Sequence, residues 1–336
     1  MTRSTIRTTI WLAALLLAMA MLIPTTAASA AGEDPSLSAD RYGTAARAAL
    51  SAFPDGADIA VLASGETFPD ALAAAPLAEA YDAPVLLTAR ESLPQASADT
   101  LAALGVADVL VMGGASAVGN DVTNALHVDY QVSRVAGADR YETAARAAVD
   151  AFPDGAQAAV VATGETFPDA LAAAPLARAY DAPILLTAGG QLPSITGDTL
   201  ALLGVDEILL MGGEGAVSTD VSNALFDHGH VTRVAGADRY ETAARAAEEA
   251  FPGGANVAVL ASGEAFPDSL AAAPLAAFHD APVLLTGADA TPASTLGELT
   301  RLGVGDVLVM GGADAIGNAV TNALHIDYQV TRVAGG

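Results

Sequence analysis

Two carboxylates four residues apart, with an aromatic ring and two prolines, carry the chemical potential of "GETFPDALAAAPLA", Gly65 to Ala78. Glu66 and Asp70 could serve as the acid and base, or acid and nucleophile, of a glycan hydrolase. The glutamate could equally pair with arginine, accept sugar hydroxyls, or help hold a divalent cation that bridges to phosphate. The segment returns as Gly164 to Ala177 and, with two changes, as "GEAFPDSLAAAPLA", Gly263 to Ala276. Glu66, Glu165 and Glu264 therefore share one position, and Asp70, Asp169 and Asp268 another. A catalytic loop is ordinarily needed once, so three copies favour a binding or architectural role. Thr67 and Thr166 become Ala265, so no hydroxyl is required there in every copy.

Other reactive constellations are scarce. The chain has no Cys and no Lys, which removes the thiolate nucleophile, the Schiff-base lysine and the Walker A lysine together. Of the five histidines, His127 and His325 correspond, but Phe226 stands at the intermediate position; His228, His230 and His279 have no threefold counterparts. Carboxylate-pair hydrolysis is the main enzymatic route left, and it is the weakest of the functional readings.

Arginine is the sharper signal. Arg41, Arg140 and Arg239 share one position, Arg47, Arg146 and Arg245 a second, and Arg134, Arg233 and Arg332 a third. The second set has a local explanation, since Glu142 and Arg146, like Glu241 and Arg245, stand four apart on a helix face. The first set opens a helix, where a cation opposes the helix dipole and needs another reason to be present. Either it pairs with an acidic group of a neighbouring unit or it helps bind an anionic ligand. The same two alternatives apply to Arg134, Arg233 and Arg332.

These residues belong to a chain with strong overall bias. The first thirty residues have the layout of a secretory signal: Arg3 and Arg7, an apolar stretch from Ile10 to Ile23, and Ala28-Ser29-Ala30. That apolar run falls short of the roughly 20 residues of a spanning helix, so export with cleavage is expected, with a mature protein outside the membrane. Without the two signal arginines, 12 basic residues face 39 acidic ones, 12 − 39 = −27. Phosphate neutralisation needs a basic face, which argues against nucleic acid as a partner. High acidity also fits a saline habitat or a solubility strategy.

The spacing of the landmarks sets the domain organisation. "ADRYGTAARAA" begins at Ala39, "ADRYETAARAA" at Ala138 and again at Ala237, a shift of 99 residues each time. The expected division is a signal peptide at 1–30, a short segment at 31–39, and repeats at 40–138, 139–237 and 238–336. In the middle copy a helix is expected over about 139–152, then an apolar run at 158–162, the Glu–Asp segment, "PILLT" at 183–187, a helix near 194–203, "EILLMGG" at 207–213, a helix around 216–226, and "HVTRVAG" at 230–236. Continuous apolar runs point to parallel strands covered on both faces, hence an α/β layer in each repeat.

Within that frame, Pro69 and Asp70 suit a helix start, and Phe68 can fold back on the apolar face. Pro76, Pro175 and Pro274 should kink or interrupt their helices. The glycine pairs at 113–114, 212–213 and 311–312 read as tight turns between strand and helix. The first copy lacks the "RVAG" that precedes the others, while the chain runs out at "RVAGG". If that strand opens each unit, the last one is free to complete the first and close a ring.

Three tandem units with "RVAGADRYETA", "GETFPDALAAAPLA", "APILLT" and "LLMGG" resemble the cell wall binding repeat 2 family, over essentially the whole chain after residue 39. The resemblance implies three tandem Rossmann-like or flavodoxin-like parallel-sheet subdomains in a pseudo-threefold arrangement. It implies noncovalent, noncatalytic anchoring to anionic secondary polymers of Gram-positive cell walls, with peptidoglycan as the other wall target, and no cofactor. Family members often carry an attached enzyme or adhesin, whereas this chain reads as the anchor alone. Carried onto this sequence, the family's anchoring motif falls on Val85, Leu86 and Leu87, on Ile184, Leu185 and Leu186, and on Val283, Leu284 and Leu285. Read from the residues, the same triplets look like buried strand. A self-assembling surface coat or adhesion component is the main alternative function, with self-association in place of a wall ligand. A binding protein at −27 must also overcome repulsion by an anionic polymer, through local arginine clefts, a bridging divalent cation, high salt or a less acidic ligand.

Overall fold

The computed structural model describes residues 40–335 apart from Pro69, Ala71, Leu72 and Pro267, and of Asp268 the backbone only. The expected signal peptide and the segment at 31–39 lie outside the described residues. No helix among the described residues is long and apolar enough to cross a membrane.

The first unit contains α1 (Arg41–Ala52), β1 (Ile59–Ser64), α2 (Ala74–Ala80), β2 (Val85–Thr88), α3 (Gln95–Leu104), β3 (Asp108–Met112), α4 (Asn120–Leu126) and β4 (Gln131–Val135). The second repeats the order as α5 (Arg140–Ala151), β5 (Ala158–Thr163), α6 (Pro168–Ala179), β6 (Ile184–Thr187), α7 (Ser194–Leu203), β7 (Glu207–Met211), α8 (Thr219–Leu225) and β8 (His230–Val234). The third runs α9 (Arg239–Ala250), β9 (Val257–Ser262), a 3-10 turn (Asp268–Ala271), α10 (Ala272–Phe278), β10 (Val283–Thr286), α11 (Ala293–Leu302), β11 (Asp306–Met310), α12 (Asn318–Leu324) and β12 (Gln329–Val333).

Each unit is an α/β layer with a parallel four-stranded sheet in the order 2-1-3-4, the flavodoxin-type doubly wound arrangement. Its helices begin and end where local chemistry dictates. Asp40, Asp139 and Asp238 cap α1, α5 and α9 by accepting two backbone N–H groups each. Gly105, Gly204 and Gly303, all at φ 71°, end α3, α7 and α11 in the left-handed conformation.

The core has two parts. One face of every sheet, with the small residues of α1, α2 and their equivalents, joins a single cluster that spans all three units. The opposite faces pack against α3 and α4, α7 and α8, or α11 and α12, giving each unit a private core. The triplets at 85–87, 184–186 and 283–285 serve both: Val85 and Leu87 point into the shared cluster, Leu86 into the private one. None of the nine is more than 3% exposed.

Two expectations change. The "RVAG" strand closes each sheet rather than opening the next: β4 pairs with β3, β8 with β7 and β12 with β11. The glycine after it reaches forward all the same. Gly137 N–H donates to Thr143 at 3.0 Å, Gly236 to Thr242 at 3.1 Å, and Gly335 to Thr44 at 3.4 Å. The last of these joins the end of the third unit to the first helix and closes a ring. The prolines, expected to kink or interrupt their helices, act unequally. Helix α6 runs unbroken through Pro175, whereas in the third unit a 3-10 turn precedes α10 and ends three residues ahead of Pro274.

Candidate functional site

The Glu–Asp segment leaves the carboxyl end of the second strand in sheet order, where open α/β sheets gather ligands. Its two carboxylates part company. Asp169 is 8% exposed, in the first turn of α6, while Glu165 stays at the surface. Asp70 hydrogen-bonds Thr143 and faces Arg140 of the next unit, and Asp169 faces Arg239 in the same way. Burial nevertheless pushes both aspartates above the usual carboxylate range, overriding the attraction of those guanidinium groups. The glycine pair packs over this buried acid: Gly113, at φ 93°, lies so close that an added Cβ would come within 2.5 Å of an Asp70 oxygen. Here φ and space both demand glycine.

The first arginine set locks the segment in place within its own unit. Arg41 Nη1 donates to the Gly65 carbonyl at 2.5 Å, Arg239 to that of Gly263 at 2.5 Å, and Arg140 to that of Gly164. Arg140 and Arg239 therefore have two partners, a backbone carbonyl that sequence reading did not foresee and the carboxylate of the preceding unit. The segment's opening glycine is explained by the side chains that cover it, because a Cβ on Gly65 would meet the ring of Tyr42 at 2.8 Å and the Arg41 side chain at 3.2 Å.

The third set is a backbone lock as well. Arg134, Arg233 and Arg332 donate to the carbonyls of Gly113, Gly212 and Gly311 at 2.6, 2.7 and 2.7 Å. Arg233 and Arg332 reach a second carbonyl, of Val217 at 3.0 Å and Ile316 at 2.8 Å. Neither an acid of a neighbouring unit nor an open anion site is the first partner of these side chains. Burial pushes Arg134 and Arg332 down, as expected for cations held against backbone.

Glu66, Glu165 and Glu264 remain at the surface, and among the described residues none of them forms an ion pair. Each stands across from the tyrosine of its "DRY". Tyr240 donates to Glu264 at 3.4 Å, and Tyr42, Tyr141 and Tyr240 have phenols pushed up first by burial and then by the facing glutamate. Sequence reading passed over these tyrosines although they recur at the same 99-residue shift as the arginines beside them. In the second unit an open cleft of about 480 Å³ adjoins this edge, lined in part by Asp139, Tyr141, Gln191 and Ser194. Among the described residues no group of three carboxylates or imidazoles is placed to hold a metal ion.

At the centre of the ring, Phe68, Phe167 and Phe266 converge. Their ring centroids lie 6.0, 5.6 and 5.9 Å apart, the first two pairs edge to face. Each phenylalanine packs on the shared core, as expected, but also on its two equivalents, which a single repeat could not reveal.

A ring of three parallel α/β units, each showing a tyrosine–glutamate edge stiffened by arginine, is a repeat-built binding scaffold. Residues 38–123, 134–222 and 233–321 each match the family model of cell wall binding domain 2 (CWB2). The chain belongs to that family and is a cell-wall-binding module. N-acetylmuramoyl-L-alanine amidase LytC of Bacillus subtilis (strain 168) is 29% identical over 286 residues, 85% of this chain and 56% of the amidase. The amidase enhancer of the same organism is 31% identical over 202 residues, 60% of this chain and 27% of that protein. Among solved structures, Cwp6 from Clostridium difficile superposes with a TM-score of 0.80 at 27% identity, over 87% of this chain and 47% of its own. The chain thus spans about half or less of the length of these relatives.

Proposed function

We propose that this chain is a noncatalytic anchor, exported and retained at the cell surface, which attaches to anionic secondary cell-wall polymer through its three tyrosine–glutamate edges. The observation that carries the reading is the separation of the two carboxylates. Asp169 is buried and Asp70 half-buried, both facing the next unit, whereas the glutamates of all three copies stay at the surface beside a phenol. Asp70 is engaged by Thr143 and Arg140 and Asp169 by Arg239, which leaves the glutamate to face a ligand and favours binding over hydrolysis by a pair of acids. Three similar edges on one body suit a polymer with a repeating unit, because linked weak contacts raise avidity without any new contact.

The acid-rich surface shapes the mode of attachment. Two arginine sets are occupied by backbone carbonyls, so the edge offers phenol and carboxylate rather than a free cationic cleft. Sugar hydroxyls can be taken up directly by such groups, and phosphate through a divalent cation shared with the glutamate. The triplets at 85–87, 184–186 and 283–285 contribute by holding the sheets, since their side chains do not reach the surface.

Sedimentation of the protein without residues 1–30 with purified walls, before and after their secondary polymer is stripped, tests the reading. Binding should vanish on stripping and should fall in EDTA. The triple variant Tyr42→Phe, Tyr141→Phe, Tyr240→Phe should retain its fold and lose at least roughly fivefold in wall affinity, about 1 kcal/mol for several lost hydrogen bonds. Unchanged binding to stripped walls would move the target to peptidoglycan, and release of sugar or peptide by the purified protein would overturn the noncatalytic assignment.

A further inference from the structure

The three tyrosine–glutamate edges share a backbone frame but not a charge. In each unit the N–H of the glycine before the glutamate, Gly65, Gly164 or Gly263, donates at 2.9 Å to the carbonyl of Thr88, Thr187 or Thr286, which ends the neighbouring strand. The loop after that strand therefore leaves the sheet beside the glutamate. Two residues on, the carbonyls of Arg90, Gly189 and Ala288 each accept a 2.8 Å bond from the residue that precedes the next helix but one, Gly119, Ser218 or Gly317. These three positions are 99 residues apart and are pinned alike. In the second unit the position looks at the glutamate: a Cβ added to Gly189 would lie 3.0 Å from Glu165 Oε2. The first unit carries an arginine there, the second a glycine and the third an alanine.

Arg90 is one of three arginines after residue 30 without a threefold counterpart, the others being Arg178 and Arg301. Those two are committed. Arg178 bonds the Ala277 carbonyl at 2.9 Å and pairs with Glu79 at 3.5 Å, and Arg301 grips Glu298 at 2.7 and 2.8 Å. Among the described residues the one ion pair of Arg90 is with its sequence neighbour Glu91 at 3.1 Å, the two side chains 52% and 76% exposed. A pair so open to water is weak, and an incoming anion displaces its carboxylate at little cost. The rest of the edge changes in the same direction. Glu142, which lines the cleft of the second unit, and Glu241 in the third correspond to Gly43 in the first. At these positions the first edge holds Glu66, Glu91 and Arg90, the second Glu142 and Glu165, and the third Glu241, Glu264 and Asp289. The excess of acid therefore grows from the first unit to the third, an order that Arg47, Arg146 and Arg245 leave unchanged because every unit has one.

We infer that the first unit's edge is where an oxyanion of the wall polymer, a phosphate or a carboxylate, binds the protein directly, and that Arg90 is the residue that takes it. The assignment rests on the anchoring function proposed above and makes its three edges unequal. The second and third take sugar hydroxyls or a shared divalent cation, whereas the first adds a guanidinium whose planar fork matches either oxyanion. A charged group held at one unit sets the register of the polymer on the ring. It also offsets, at one place, the repulsion between an anionic polymer and so acidic a surface.

Sedimentation with polymer-bearing walls in EDTA isolates this contact, because cation-bridged binding is then absent. The unmodified protein without residues 1–30 should keep part of its binding there, and that part should weaken with salt and with added inorganic phosphate. Arg90→Gln should reduce the EDTA-resistant binding at least roughly fivefold, the scale of a lost hydrogen bond to a charged group. Its loss in magnesium should be smaller. Glu91→Gln should strengthen binding by freeing the guanidinium. Ala288→Arg, added to Arg90→Gln, should recover EDTA-resistant binding by setting the cation at the third edge. Amidation of the wall carboxyl groups separates the two sources of charge, since phosphate binding survives that treatment and carboxylate binding does not. Undiminished EDTA-resistant binding by Arg90→Gln, or none by the unmodified protein, would overturn the inference while polymer-dependent binding in magnesium left the anchoring function standing. Equal binding to stripped walls would overturn both.

Discussion

The two seams through which the chain runs and the one it closes by contact are built from the same repeat, yet their polar ties differ. Between the first and second units, Gly137 bonds Thr143 at 3.0 Å, the Ala138 N–H meets Glu142 at 2.7 Å, and Tyr81 bonds Asp150. Between the second and third, Gly236 bonds Thr242 at 3.1 Å, Ala237 meets Glu241 at 2.9 Å, and Tyr180 donates to Glu249 at 2.5 Å. That last contact pushes the Tyr180 phenol up to about 12. At the closing seam the glycine bond lengthens to 3.4 Å, Gly43 replaces the glutamate, and His279 and Ser51 stand where the tyrosine and carboxylate would be. Apolar packing of α1 on α10 and the shared core must therefore hold the ring shut, since no connecting loop raises the local concentration of its two faces.

Removal of residues 329–336 should break the comparison most severely. The deletion strips β12 from its sheet, exposes the core side of β11 and removes the Gly335–Thr44 bond together. A loss of more than about 3 kcal/mol is expected, in line with other large core deletions. Urea unfolding should show it, with the first unit's α1 losing amide protection alongside the third unit. Protection of α1 at its original level would mean that the closing seam contributes little to the first unit.

A subtler change should make the seams more alike. The double variant His279→Tyr, Ser51→Glu supplies the pair that the other two seams use. Its gain should be about 0.5–1 kcal/mol, the net value of one solvent-accessible hydrogen bond. The matching loss should appear in Tyr180→Phe at the second seam. If thermal unfolding moves with Tyr180→Phe but not with the double variant, the closing seam differs in backbone placement as well as in side chains.

This asymmetry bears on what could be read in advance. The 99-residue shift, the helices and the strands of the middle unit were legible from periodicity and punctuation: the expected helix at 194–203 and the strand within 183–187 correspond to α7 and β6. Ring closure was legible from the missing "RVAG" before Ala39, although not which sheet the strand joins, because hydrophobic pattern does not specify a pairing partner. The arginines were found by their spacing, but their carbonyl partners depend on how two loops approach in space, 21 and 24 residues apart in sequence. The phenylalanine triad arises between repeats, from residues that look unremarkable within one copy, so it left no local signal.

The smallest expected effect concerns the acid buried at the second seam. Asp169 has its pKa raised, first by burial, with Arg239 acting in the opposite direction. The folded chain therefore holds this proton more tightly than the unfolded chain. The resulting stabilisation is fully present below the ordinary value of 3.8 and is lost as pH rises through the folded value. Above the folded value the carboxylate is ionised, and its desolvation cost is then carried by the native state. Asp169→Asn keeps the shape and removes the charge, so it should be more stable than the parent at pH 7. The two should converge as pH falls below the carboxylate range. Chemical unfolding at several pH values between 3 and 7 measures the difference. An asparagine variant that is less stable at neutral pH would show that the attraction to Arg239 across the seam outweighs burial, and the seam would then owe part of its strength to a true ion pair.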